Sequence, residues 1–334
     1  MQIFDADQTR RSLPMAALID AVAEAAIAFA NGDIVCPERL VVPLGPKIGA
    51  DAGLLLSMPA VSADISVHKL ISVMPGNVER TLPVIQGHLT VFDSATGTPR
   101  LLLDGPTVTG RRTAAVSLLA MRLLLPRAPR HVLLIGAGAQ ASHHIDALAE
   151  VYPGLRVMIK GRTAAAAMRL AAAHAQCGLA LAVWPDTPGE EGSVAAISHD
   201  VDVVITCTTS RVPVYRETAR AGRLLIAVGA FQAQAAEIDA ATVRASRIVV
   251  DDPAGAAHEA GDLLLAAVDW ETVIPLHAVL GKATPRPARL TAAGLVGASV
   301  RLAGETMEVP ILFKSVGCAA WDLAAARVAL GMAG

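Results

Sequence analysis

Although 53% of its 334 residues are hydrophobic, the chain has no uninterrupted apolar run near the roughly 18 residues that a membrane span needs. Its start, MQIFDADQTRRSL, is polar and lacks the apolar core of a secretory leader. Charge of one sign is also missing: the formal net charge of -2 gives no general attraction to nucleic acid or to a membrane surface. Cysteine is sparse. Cys36, Cys177, Cys207 and Cys318 are scattered with no C-x-x-C pair, so neither a zinc site nor a disulfide framework is expected. Such cysteines are expected to be reduced, small apolar residues of a cytoplasmic protein. No internal repeat and no low-complexity linker is visible. What remains is a chain long enough for two domains with substantial cores.

What is present centres on HVLLIGAGAQA, residues 131 to 141. Val132 to Ile135 form a short apolar run, long enough for a buried strand and too short for a helix. Gly136, Gly138 and Ala141 follow at G-x-G-x-x-A spacing, and a helical pattern then runs through Ile145, Leu148 and Ala149. The first glycine permits a tight turn, the second admits a pyrophosphate close to the backbone, and the third small residue lets helix pack on strand. The loop residues Gly136, Gly138, Ala139 and Gln140 are therefore expected to bind a dinucleotide at a helix N-terminus. A second apolar run, Leu155 to Ile159, ends in Lys160, Gly161, Arg162 and Thr163. An NAD site usually has an acid there for the ribose 2'-hydroxyl. No carboxylate lies between Leu155 and Arg169, whereas Arg162 and Thr163 offer a cation and a hydroxyl to a 2'-phosphate, so NADPH is expected.

Elsewhere the pattern predicts an amphipathic helix over 8 to 31, with Leu18, Ile19, Val22, Ala25 and Ala26 on one face. From Pro37 come short β-type runs: Leu40 to Pro43, Gly53 to Met58, Ile65 to Val73, Gln86 to Asp93, and Pro99 to Leu103 after a turn at Asp93 to Gly97. A helix over Thr113 to Leu125 should bridge to the nucleotide domain. Strand and helix then alternate to Arg247 to Val250, and Ile311 to Phe313 followed by a helix from Ala319 closes the chain. Asp186 to Glu191 and Pro285 to Pro287 look like exposed loops. The expected class is α/β: a doubly wound parallel Rossmann sheet at 116–304, and an α+β substrate-binding and dimerisation domain from 1–115 plus 305–334.

Three basic residues stand out in the first domain: Arg39 in CPERLVVPL, Lys69 in ISVHKLISV and Arg112 in GPTVTGRRTAAVSLL. A lysine within an apolar strand is exposed on one face or paired, because an unpaired buried ammonium is costly. Each can be a solvated charge or a structural ion pair; together they can form a pocket for a substrate carboxylate. Thr208, Thr209 and Ser315, at strand ends, can contact a nicotinamide or its ribose, or can be caps.

TGRRTAA, GAGAQA and FKSVGCAAWDLAAA, in that order, resemble the ornithine cyclodeaminase and mu-crystallin family over nearly the whole chain. The resemblance implies a substrate domain made from the first third plus the C-terminal helix, dimerising through its sheet, with a Rossmann domain between. It also implies that Arg39, Lys69 and Arg112 face the substrate's carboxylate or its reacting nitrogen, with Arg112 rather than Arg111 as the ligand. The sequence departs from the cyclodeaminase pattern at three points. Gly229-Ala230-Phe231 is followed by Gln232-Ala233-Gln234 instead of an acid, Ser57 precedes Met58-Pro59 where an acid is expected, and Arg162 replaces the acid that favours NAD.

The pattern is closer to the family's ketimine reductases, which reduce Δ1-pyrroline-2-carboxylate and Δ1-piperideine-2-carboxylate with NADPH. In that reading Arg39, Lys69, Arg112 and Ser57 bind substrate and Lys69 is the proton donor, unless the imine arrives already protonated. The partners are then a small cyclic imino acid and a second copy of the chain, with no metal, nucleic acid or membrane. The alternatives are a lyase of the family (a cis-3-hydroxy-L-proline dehydratase using Ser57, or an ornithine cyclodeaminase), an NAD-dependent alanine dehydrogenase, and a non-catalytic ligand-binding protein.

Overall fold

A computed structural model describes residues 1–44, 53–185, 197–281 and 309–332. The chain divides into two compact units, Met1–Arg112 with Cys318–Gly334, and Thr113–Gly317. The expected loops at 186–191 and 285–287, and the expected boundary at 304/305, lie outside the described residues.

In the first unit, Gly53–Ser62, Ile65–Val73, Ile85–Asp93 and Pro99–Asp104 form consecutive antiparallel pairs. Gln2–Ile3 adds a parallel edge, and Ile34–Val35 and Leu40–Leu44 both pair with Gly53–Ser62. Burial alternates along Ile65–Val73, as one covered face requires: Ile65, Val67, Lys69 and Ile71 are buried, whereas Ser66, His68 and Leu70 are half-buried. The helices Met15–Ala30 and Ala319–Met332 pack on each other, with Phe29 and Trp321 edge to face at 6.5 Å. The second of these also covers the two central strands. Its alanines explain this position: small side chains from Ala319 to Ala326 let the helix lie close, and every residue in that stretch is buried.

Two helices differ from expectation. The segment 8–31 is broken into Ala6–Arg11 and Met15–Ala30, because Pro14 cannot continue the first helix and instead starts the second. The bridging helix begins at Gly105, not Thr113, and runs to Leu124. GPTVTG reads as loop by propensity, yet Pro106 fits a first turn and the Asp104 carboxylate caps it, accepting the Thr107 amide at 2.8 Å. TGRRTAA is therefore helical rather than the end of the β region. Glycine is required where this helix meets the sheet. A Cβ on Gly105 would lie 2.9 Å from the Gly87 carbonyl, and Gly87 itself, at φ +138°, passes over Leu70.

The second unit has an eight-stranded, all-parallel sheet among the described residues. Its spatial order is Ala180–Val183, Arg156–Lys160, His131–Ile135, Val203–Thr206, Leu224–Ala227, Ile311–Lys314, Arg247–Val250 and Ile274–Pro275. This is the expected doubly wound Rossmann arrangement, with the order reversing between His131–Ile135 and Val203–Thr206. Ile311–Lys314, a run of four buried residues, lies in the middle of this sheet, so the chain leaves the unit only after Gly317. Among the described residues no helix is long and apolar enough to cross a membrane, and no His, Cys, Asp or Glu cluster is placed to hold a metal ion.

Candidate active site

The first unit brings three charged side chains together on the covered face of its sheet. Lys69, on Ile65–Val73, is fully buried, and its strand partners Met58 and Leu89 are apolar. Asp322, on the C-terminal helix, is equally buried and holds Oδ2 2.7 Å from Lys69 Nζ. Its other oxygen, Oδ1, accepts from Arg112 Nε at 3.2 Å. Beyond this close contact with Oδ2, the ammonium has no other acceptor among the described residues. Arg112 meets Asp322 through Nε, which leaves its two terminal nitrogens to point elsewhere.

Two buried cations therefore face one buried carboxylate. Arg39, half-buried beside Leu40–Leu44, adds a third positive charge felt at Lys69. Burial lowers the Lys69 pKa to about 8, helped by Arg112 and Arg39 and opposed by Asp322. A cluster with spare positive charge and spare N–H donors is built to receive an anion, and a planar carboxylate fits a guanidinium fork beside an ammonium.

The neighbouring sequence candidates separate cleanly. Arg111 is 2% exposed and gives Nε and a terminal nitrogen to the Leu13 carbonyl at 2.9 and 2.6 Å, a clasp within the fold. Ser57 is displaced from the cluster. Met58 is the strand partner of Lys69, so Ser57, one residue earlier, points to the opposite face of the sheet. There its Oγ lies 2.8 Å from His68 Nε2.

In the second unit the glycine loop follows strand His131–Ile135 at the point where the strand order reverses. Gly136 has φ +133°, and a Cβ there would lie 2.7 Å from Cys207 Sγ and 2.8 Å from its carbonyl oxygen. Gly138 has open space where a Cβ would stand and begins helix Ala139–Val151 with no side-chain cap. The backbone N–H groups of that first turn, at Ala139 and Gln140, have no intrahelical acceptor, and with the open space at Gly138 they can receive a phosphate group of a dinucleotide. Behind it, His144 is fully buried, with Nδ1 2.7 Å from the Gln140 carbonyl and Nε2 2.9 Å from Ser117 Oγ. Burial drives its pKa down to about 4, so it is a neutral imidazole whose Nδ1–H donates to Gln140 and steadies the turn. At the end of the adjacent strand, Arg162 is exposed, and Thr163 caps helix Ala164–Ala173 by accepting the Ala166 amide.

Thr208 and Ser315 are occupied by protein partners. Thr208 donates its amide and hydroxyl to Glu237 Oε1, at 2.6 and 2.8 Å, and Ser315 donates its hydroxyl to Asp251 Oδ2 at 2.7 Å. Thr209 is exposed. Glu237 also accepts the Gly229 and Ala230 amides, so a carboxylate serves the Gly-Ala loop from a position eight residues on. Burial raises its pKa, with Lys314 acting against the rise. Asp262 accepts the Glu237 and Ile238 amides, and Lys314 Nζ sits 2.7 Å from Asp262 Oδ2 while donating to the Ala230 carbonyl at 2.6 Å.

Sequence reasoning missed Asp322, Glu237, Asp262, Lys314 and His144. For Asp322 and Lys314 the available signal was a charged residue alone in an apolar stretch, as in AAWDLAAA and PILFKSVG.

The family profile of the ornithine cyclodeaminase/mu-crystallin family matches residues 2–331. A Δ1-pyrroline-2-carboxylate/Δ1-piperideine-2-carboxylate reductase of Azospirillum brasilense is 50% identical over 327 residues, covering 98% of this chain and 94% of that protein. A Δ1-pyrroline-2-carboxylate reductase of Burkholderia ambifaria is 48% identical over 326 residues, covering 98% of this chain and 94% of its own length. Among solved structures, the Δ1-pyrroline-2-carboxylate reductase of Thermococcus litoralis in complex with NADH and L-proline shares the fold. Its TM-score is 0.81 at 24% identity, with 100% of this chain and 97% of that one covered.

Proposed function

The chain belongs to the ornithine cyclodeaminase/mu-crystallin family, and from that premise we propose that it reduces a cyclic ketimine, Δ1-pyrroline-2-carboxylate or Δ1-piperideine-2-carboxylate, to L-proline or L-pipecolate with NADPH. The observation that carries this reading is the buried Lys69–Asp322–Arg112 cluster, whose surplus cation and unmet donors match a ligand carboxylate. Two relatives near 50% identity bear the name of such reductases and support the same choice.

The chain's residues divide the work. Arg112, steered at Nε by Asp322, turns its remaining guanidinium nitrogens to the carboxylate and fixes the ring. Lys69 holds a proton at Nζ that the imine nitrogen needs to make C2 electrophilic, and Arg39 adds to the field that lowers its pKa toward working pH. When bound, the nicotinamide supplies the hydride that C2 accepts, so C=N becomes C–N with one proton gained at nitrogen. Gly136 and Gly138, with the Ala139 and Gln140 amides, hold the pyrophosphate, and Arg162 with Thr163 takes the 2'-phosphate. A dehydratase is less well served, because Ser57, its required hydroxyl, turns away from Lys69 and is bonded to His68.

We also place a second copy of the chain on the first unit and the protein in the cytoplasm. The edge strand Leu40–Leu44 leaves Leu40, Val41 and Val42 61%, 45% and 39% exposed, apolar surface of the kind a partner covers.

The test is steady-state dinucleotide oxidation with each imine, NADPH against NADH, for the wild type and Arg162→Asp. NADPH should be preferred, and the variant should lose about 1.5–3 kcal/mol of that preference, the worth of a charge-assisted phosphate contact. An unchanged ratio of kcat/KM between the cofactors contradicts the Arg162 assignment, and no turnover of either imine contradicts the reaction.

A further inference from the structure

In the chemistry just described Asp322 touches neither substrate nor cofactor, yet it is the only anion in contact with both Lys69 and Arg112 among the described residues. We propose that Asp322 is the positioning residue of this site: it keeps Lys69 charged inside an apolar layer and sets the spacing at which Lys69 and Arg112 together grip a carboxylate. The proposal rests on the functional reading above for the identity of the ligand, but not for the geometry.

A buried ion pair is ordinarily a weak source of stability, since desolvation offsets most of the attraction. Here the arrangement is costlier still, because the carboxylate is shared between two cations and Lys69 has no other acceptor among the described residues. Such a cluster makes sense when a ligand completes it. Lys69 meets Asp322 from the C-terminal helix, Arg112 from helix Gly105–Leu124, and Arg39 from the residue before Leu40–Leu44. Its strand neighbours on this face, Met58 and Leu89, carry no charge, and His68 lies on the other face. Without the carboxylate, Lys69 keeps the two influences that expel its proton, burial and the arginines, and loses the one described anion that retains it.

The probe is pyrrole-2-carboxylate, a planar acid whose carboxyl group stays ionised across the whole range. Its binding is followed by calorimetry from pH 6 to 10 with saturating NADP+, for the wild type, Asp322→Asn and Asp322→Glu. Wild-type affinity should hold to about pH 8 and fall above it, as Lys69 loses its proton. In Asp322→Asn the fall should begin at least about one unit lower, a shift a purely structural aspartate would not cause. Asp322→Glu should restore the wild-type onset but bind at least about fivefold more weakly, because the extra methylene changes the spacing.

Identical pH dependence in wild type and Asp322→Asn overturns the proposal. Should Asp322→Asn fail to fold, Asp322→Glu decides alone, and wild-type affinity there overturns it. No binding by the wild type at any pH also overturns it. Binding with the expected shift but no turnover of either imine leaves Asp322 in its role and defeats only the functional reading.

Discussion

Each unit buries a lysine against an aspartate at 2.7 Å, and the two clusters differ in what is left over. In the second unit the network is more nearly closed, although Asp262 Oδ2, like Asp322 Oδ2, meets its lysine outside hydrogen-bond geometry. Glu237 accepts four N–H or O–H donors, Asp262 accepts two amides, and Lys314 has both a carboxylate and a carbonyl. It ties the loops after Val203–Thr206 and Leu224–Ala227 to the strand Ile311–Lys314. In the first unit the network is open. Asp322 is shared by two cations, and Lys69, unlike Lys314, has no hydrogen-bond acceptor among the described residues. Burial and charge alone do not separate a structural cluster from a functional one. Under the proposed function, the unmet donors of Lys69 are what mark the first cluster as the ligand site.

The comparison predicts opposite consequences for the same substitution. Lys314→Met strands Asp262 and Glu237 without their cation and should cost about 3–5 kcal/mol of stability, the usual penalty for an uncompensated buried charge. Lys69→Met leaves Asp322 paired with Arg112 and should cost under about 1 kcal/mol while abolishing imine reduction. Urea unfolding of both variants checks this, and equal losses would erase the distinction between the clusters.

How much of this was legible beforehand follows the same division. The strand–glycine–helix turn could be read because its spacing sets the geometry locally, and the doubly wound sheet followed from strands and helices in alternation. Lys69 and Arg112 stood out because cations in apolar or tightly packed contexts need a partner. The partner itself was hidden: Asp322 lies 210 residues from Arg112, and nothing local says which distant side chain a helix will face. The face of Ser57 was hidden too, since a strand's period fixes alternation but not which set looks inward. Thr208 and Ser315 were placed at strand ends as expected, but Glu237 and Asp251 compete for their hydroxyls, and only tertiary structure brings those acids near.

A smaller effect sharpens the contrast between the units. If the first unit carries the self-association surface, Val41→Lys on its exposed edge strand should weaken the dimer at least about tenfold. Dinucleotide affinity, assigned to the second unit in the proposed function, should be unchanged. Light scattering across micromolar concentrations with a parallel NADPH titration measures both, and a wild type that is monomeric throughout contradicts the assembly.

The most direct test of the open cluster compares two adjacent arginines that differ in what they hold. Arg112→Leu removes the guanidinium that meets Asp322 through Nε, and Arg111→Leu removes one clasping the Leu13 carbonyl. Steady-state NADPH oxidation with Δ1-pyrroline-2-carboxylate, with cofactor binding followed separately by fluorescence, should show Arg112→Leu folded and binding NADPH. Its kcat/KM should be reduced more than about a hundredfold, because a charge-assisted contact and the reacting geometry vanish together. Arg111→Leu should retain most of its activity per folded molecule and lose stability instead. Equal loss of activity in the two variants, or loss of NADPH binding in Arg112→Leu, would mean that Arg112 is structural and that the carboxylate is held elsewhere.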